Sequence, residues 1–257
     1  MSPRRFPFTR ETALLVLAYL YVPVVVLIVY SFNANRTATV WTHASVDWYG
    51  RILVNPSIQA AAWNSLVIAV CAATAATVLA LLAALATRRA FLGRGASEAV
   101  LNMPLILPEI VVAVATLILF VSLGVKLGLG AMVAAHTAFC IPFAYLPIRA
   151  RLDGISGTYE EAAHDLYANR VRTFRRVTMP LLWPGVMAGF TLAFVTSLDD
   201  FLTSFFLAGP GMTTLPVYIF SAIRAGISPE INAISAVMLV VSVLLVSLSF
   251  FLGRLRR

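Results

Sequence analysis

YEEAAHDLYANRVRTFRRVTMPLLWPGV, residues 159–186, is the one long polar interval in a chain of 257 residues that is otherwise strongly apolar. It carries Glu160, Glu161, Asp165, Arg170, Arg172, Arg175 and Arg176 between two hydrophobic runs of membrane length. The spacing predicts a helix over 158–168. Glu161 and Asp165 then stand one turn apart, and Ala162, Ala163 and Leu166 leave a low apolar surface on which another protein can close. Asn169 suits the N-cap of a second short helix, in which Arg172, Arg175 and Arg176 recur at helical spacing until Pro180 forces a change. The expected product is a compact helix–turn–helix knob that something soluble must meet.

Working outward, 60% hydrophobic residues, 12% charged residues and a mean hydropathy of +0.90 exclude an ordinary soluble domain, which could not cover that much apolar surface. The fold class expected is an all-α membrane protein. The formal charge of +8 does not indicate nucleic acid, because the basic residues form short clusters beside apolar runs without interleaved aromatics. Cys71 and Cys140 each lie inside an apolar run, so no disulfide framework or metal site is indicated.

Six spans are expected. Residues 13–32 form the first, retained rather than cleaved, since the apolar core is too long for a signal peptide and no small-x-small site follows. Residues 33–62 are mixed, with Trp41, Trp48 and Tyr49 suited to a membrane–water boundary, and Asn35-Arg36-Thr37 is a chance glycosylation match. The second span, 63–86, repeats Ala72, Ala76, Ala80 and Ala84 every fourth residue, a smooth stripe for close helix approach. Ser97 is expected to cap the third, 98–122, which Pro104 and Pro108 break just before Glu109. After a turn over 124–130, the fourth occupies 131–148, interrupted by Pro142 and Pro147, and the fifth 183–207. Gly209-Pro210-Gly211 turns the chain, a segment to Ile227 leads to Ser228-Pro229-Glu230, a helix start with its cap and first-turn proline, and the sixth span is 231–252. The domain division expected is a tail, first span and outer loop over 1–62, a five-helix core over 63–253 containing a coupling loop at 153–180, and a basic tail at 254–257.

Fifteen of the nineteen basic residues fall at the two termini, after the second span and around the polar loop, while Arg36, Arg51, Lys126 and Arg224 lie in the opposite set of segments. The excess of basic residues on the cytoplasmic side puts both termini and the Glu160 loop there. No G-x-x-x-x-G-K-[ST] occurs and Lys126 is the only lysine, so a phosphate loop is lacking. His43, His136 and His164 are far apart in sequence, no metal-ligand spacing is present, and no nucleophile motif begins a catalytic triad. The expectation is a chain with no catalytic residues and no metal or cofactor of its own.

An ionised side chain near the bilayer centre costs at least about 2.5–3.5 kcal/mol and normally faces a cavity. Glu109, Asp199 and Asp200 are the acids inside spans. Counting about 1.5 Å per residue puts Glu109 roughly 16 Å into the third span and the aspartates roughly 24 Å along the fifth. Thr196, Asp200, Thr203 and Ser204 then make a polar stripe, with Asp199 about 100° to one side. A lumen lined in this way suits a cation; alternatively the acids pair with helix N-termini or a partner subunit. A channel or secondary transporter would use the same acids without a nucleotide partner, but usually shows an internal repeat, and none is visible.

Glu161-Ala162-Ala163, followed at a distance by Met179-Pro180, resembles the EAA loop of permease subunits of ABC importers, the cytoplasmic segment that docks on the ATPase subunit. The resemblance implies a type I (MetI-like) permease fold, with Glu160, Glu161, Ala162, Ala163, Asp165, Leu166 and Tyr167 as the docking residues. It departs at Tyr167, where the family usually has Gly: either the turn is drawn differently or Asn169 absorbs the bend. Ser197-Leu198-Asp199-Asp200-Phe201, Ala208-Gly209-Pro210, Thr214-Leu215-Pro216 and residues 226–233 are similar to the last two spans of spermidine/putrescine permease subunits of the PotC type. Tyr19 to Pro23, Ser31-Phe32-Asn33 and Trp48-Tyr49 extend the likeness over nearly the whole chain. It implies a bacterial inner-membrane polyamine importer in which this subunit joins a second permease subunit (PotB-like), two ATPase subunits (PotA-like) that hold ATP and Mg2+, and a periplasmic binding protein (PotD-like). Asp199, Asp200, Glu109, Thr196 and Thr203 are the candidates for the solute path.

Overall fold

A computed structural model describes residues 9–35, 40–88, 90–226 and 228–255. Arg4, Arg5, Arg36, Thr37, Arg89, Ile227, Arg256 and Arg257 lie outside the described residues, and of Arg254 only the backbone is described. The chain is helical nearly throughout: α1 (Thr9–Tyr30), α2 (Asp47–Val54), α3 (Pro56–Ala86), α4 (Arg94–Ile106), α5 (Glu109–Ser122), α6 (Leu129–Asp153), α7 (Thr158–Asp165), α8 (Arg170–Thr173), a π turn (Phe174–Thr178), α9 (Met179–Asp199), α10 (Leu202–Leu207), α11 (Leu215–Ala225) and α12 (Pro229–Leu255). Among the described residues, five helical runs are long and apolar enough to cross a membrane, and a sixth if α4 and α5 are taken together. The protein is therefore a multi-pass, all-helical membrane protein.

Several boundaries differ from the sequence expectation. The third span is not a rod: α4 and α5 meet at 109°. Pro108 has no N–H and forces Leu107 out of the helical region, to ψ 141°, whereas Pro104 is tolerated inside α4. The depth of Glu109 obtained by counting along a straight helix therefore does not hold. Ser97 is not a cap; Gly93, left-handed at φ 95°, precedes the helix, and the Ser97 hydroxyl donates back to the Gly93 carbonyl at 3.2 Å. In α6 the helix runs unbroken through Pro142 and Pro147, each of which removes only one backbone bond. Nor does Pro180 end the second helix of the knob. The preceding turn widens into the π turn instead, which makes room for a ring that cannot donate to the Arg176 carbonyl, and one helical run continues from Arg170 to Asp199. The fifth span stops at Asp199, earlier than expected.

The chain forms two compact units. The first takes in the described residues up to 59 with 219–240. Its organiser is Asn33, fully buried: its backbone carbonyl accepts from the Trp48 indole at 2.8 Å, its side-chain amide donates to the Val40 carbonyl at 2.8 Å, and its side-chain oxygen accepts from the amides of Asn35 and Thr42, each at 3.2 Å. Ser31 and Tyr49 share a 2.7 Å hydroxyl contact beside it.

The second unit, the described residues of 60–218 with 241–255, holds the principal helix pair, α6 on α9. They approach closely because α9 presents glycine. A Cβ on Gly189 would stand 2.6 Å from the Ala144 carbonyl, and one on Gly185 would stand 2.6 Å from the Arg151 Cβ. Arg151 also donates to the Leu181 carbonyl at 2.9 Å, fastening the same seam. The expected alanine stripe of α3 forms: Ala72, Ala76, Ala80 and Ala84 are all fully buried. We expect Gly189→Leu to overpack this seam, costing about 1–3 kcal/mol or more, which a lowered melting temperature of the detergent-solubilised protein checks.

Candidate functional site

The polar knob folds as two short helices. α7 carries both glutamates in its first turn, where negative charge complements the helix dipole. They then diverge. Glu160 points into the protein, accepting from Arg88 at 2.6 Å and from the Thr178 hydroxyl at 2.7 Å, so it ties α7 to the end of α3 and to the π turn. Burial alone would raise its pKa, but the hydrogen bonds from Arg88 and Thr178 and the charge of Arg88 outweigh this and hold its carboxyl below the usual range. Glu161, Ala162, Asp165, Leu166 and Tyr167 are exposed and Ala163 is half-buried. Asn169 is the cap of α8, as expected, with its side chain accepting from the Arg172 amide at 2.9 Å.

The turn between the helices is drawn around Tyr167, at φ 56° the one positive-φ residue other than glycine among those described. The Ala168 amide reaches the Ala163 carbonyl at 3.0 Å and the Tyr167 amide the His164 carbonyl at 2.9 Å, the paired bonds of a Schellman turn with Tyr167 in the left-handed position. Neither reading offered from the sequence is what occurs: Asn169 does not absorb the bend, and the turn is the one a glycine would make. The ring contributes no packing in return, being 97% exposed.

The second candidate region is the junction of α9 and α10. Asp200 leaves the helix with ψ 121° and turns its carboxylate inward, where the residue is 4% exposed. One oxygen accepts from the Thr203 amide at 3.4 Å and the other from the Ser204 amide at 3.0 Å, so Asp200 caps α10. His136 of α6 meets the same carboxylate, with Nε2 3.2 Å from Asp200 Oδ2, 3.2 Å from the Ser204 hydroxyl, and Nδ1 2.8 Å from the Ser197 hydroxyl. Glu109, at the start of α5, also lies beside Asp200.

The single-helix polar stripe expected of Thr196, Asp200, Thr203 and Ser204 is not formed. The helix ends at Asp199, and Thr203 and Ser204 are buried on a separate helix. Asp199 and Glu109 are exposed and Thr196 is half-buried. Sequence reasoning missed His136, whose signal was available: it is an ionisable residue in an apolar run, which deserves the same scrutiny as the acids. It also missed Arg88 as the partner of Glu160. Among the described residues, no group of three or more His, Cys, Asp or Glu side chains is arranged to hold a metal ion.

The fold has counterparts in known proteins. Among solved structures, a bacterial ABC transporter that imports the acidic polysaccharide alginate superposes with a TM-score of 0.70 over 95% of this chain and 92% of its own, at 16% identity. The MetNI methionine ABC transporter gives 0.59 over 76% of this chain and 92% of its own, at 22% identity. Among curated proteins, the spermidine/putrescine transport system permease protein PotC of Haemophilus influenzae is 39% identical over 97% of this chain and 98% of its own length. PotC of Escherichia coli K12 is 38% identical, covering 92% and 90%. The putrescine transport system permease protein PotI of the same strain is 37% identical, covering 91% and 86%. Residues 76–256 match the family described as the binding-protein-dependent transport system inner membrane component, and the chain belongs to that family.

Proposed function

We propose that this chain is the permease subunit of an ATP-driven importer that carries polyamines such as spermidine and putrescine into the bacterial cytoplasm. The observation that carries the reading is the match, along nearly the full length of both chains, to permeases named for that cargo. The acids in the apolar part of the chain agree with it, since a path for a polycation needs carboxylates where water is scarce. Asp199 and Glu109, both exposed in the isolated chain, meet the solute, and the half-buried Thr196 belongs to the same path. Asp200 and Thr203 belong to the same path as its buried support.

The chain works in an assembly. A second, related permease subunit completes the path, two ATPase subunits bind ATP and Mg2+ and hydrolyse the nucleotide, and a periplasmic binding protein delivers the solute. This chain performs no catalysis and binds no cofactor. Both termini and the knob face the cytoplasm, as the distribution of basic residues supports. Glu161, Ala162, Ala163, Asp165, Leu166 and Tyr167 form the surface that the ATPase grips, whereas Glu160 fastens that surface to the membrane helices through Arg88 and Thr178.

Reconstitution of the complete set of subunits in liposomes tests the reading directly: spermidine or putrescine should stimulate ATP hydrolysis and accumulate inside, whereas neutral and anionic solutes should not. Uptake by this chain without an ATPase partner, or a preference for an uncharged solute, contradicts it. In the same preparation, Glu161→Lys should abolish coupled uptake, with loss of ATPase co-purification as the companion readout.

The Glu160 anchor makes a pH-dependent contribution. Its folded pKa lies below the unfolded value of roughly 4.3, so the stabilisation is fully present above that range and is lost as the pH falls through the lowered value. Glu160→Gln should therefore reduce thermal stability near neutral pH by on the order of 1 kcal/mol, with the gap from the parent protein closing under strongly acidic conditions. For Tyr167, replacement by Gly should raise the stability of the isolated chain by about 1 kcal/mol and weaken its affinity for the ATPase subunit, two changes of opposite sign that thermal shift and binding measurements separate.

A further inference from the structure

The junction of α9 and α10 poses a physical problem that His136 answers. Asp200 is a carboxylate withdrawn from water in an apolar part of the chain, and its two backbone bonds alone leave it in want of a side-chain donor. His136 supplies one, from a helix whose contact with α9 is fixed by glycine rather than by adaptable side chains. Its ring is 1% exposed and both nitrogens are engaged. In either charge state Nε2–H can donate to Asp200, and in the neutral ring Nδ1 accepts from the Ser197 hydroxyl. Ser197 lies in the last turn of α9, so one imidazole holds that turn at two points, Ser197 before the helix end and Asp200 just after it.

Fixing those two points fixes what lies between. Successive residues of a helix point about 100° apart. With Ser197 and Asp200 both turned towards α6, Asp199 is exposed. Glu109 is likewise located against Asp200.

We infer that His136 is a positioning residue for solute transport: it holds Asp200 as the buried cap of α10 and thereby orients the exposed carboxylates of Asp199 and Glu109 along the solute path. The inference rests on the polyamine-permease reading for the identity of the solute, but the latch itself does not. It assigns different work to the three acids. Asp200 keeps the geometry, and Asp199 and Glu109 meet the cation.

The test uses the complete reconstituted transporter with spermidine and putrescine as probes. His136→Leu removes the polar latch at similar volume and should cut uptake at least tenfold at low solute concentration, chiefly by raising KM, while the ATPase subunits still co-purify. His136→Gln and His136→Asn each offer an amide N–H for Asp200 and an amide oxygen for Ser197, and the better placed of them should return uptake to within about threefold of the parent. Adding Asp200→Asn to His136→Leu should restore the thermal stability lost in the single variant, because the uncompensated buried charge is gone. Parent-like uptake by His136→Leu overturns the inference, as does failure of both amide variants to improve on leucine. Should His136→Leu fail to assemble, recovery of assembly by the added Asp200→Asn supports the latch and its absence overturns it. A parent complex that carries some other solute, yet shows this same order among the variants, overturns the polyamine reading and leaves the role of His136 standing. Polyamine uptake indifferent to every change at His136 does the reverse.

Discussion

A helix that ends in apolar surroundings leaves backbone amides and carbonyls without water to bind, and each such group is costly unless something else in the protein binds it. That constraint governs the junction after Asp199. The chain meets it by turning the next carboxylate inward to cap the following helix, and the buried charge that results then requires a partner of its own. His136 is that partner, and the glycine seam between α6 and α9 brings the imidazole within reach. A backbone requirement, a buried ion and a close helix contact thus form one connected arrangement.

The same logic, under milder conditions, organises the knob. Glu160 and Glu161 are neighbours in sequence, but helical geometry separates them, giving one to the protein interior and the other to solvent. The first couples α7 to α3 and to the π turn through a charge-assisted pair of hydrogen bonds, which confers geometric definition more than raw stability at a partly exposed site. The second, with Ala162 beside it, is left exposed.

Much of this was legible beforehand. The knob stood out because a polar run is conspicuous in so apolar a chain. Asn169 was identifiable as a cap because its side chain has an intrinsic reason to bind the first free amides of a helix, and the alanine stripe because small residues every fourth position share one face. What escaped were pairings between distant positions. Arg88 and Glu160 are 72 residues apart, and nothing local to either announces the other. The inward turn of Asp200 is likewise illegible in the sequence, because a continuous fifth helix would place Thr203 and Ser204 on the face of Asp200. Pro108 marked a break without giving its angle, and the angle decides where Glu109 lies.

The π turn at Phe174–Thr178 has a mechanical meaning. It stands near the base of a helical run from Arg170 to Asp199, about 45 Å long at the usual rise. The part of the run above the turn, Met179 to Asp199, is a lever arm of about 32 Å, and a tilt of roughly 10° at the turn would displace its far end by about 5–6 Å. A widened turn is the natural fulcrum, because its i→i+5 bonding already departs from the regular helical ladder and can accept a tilt without breaking the helix above it.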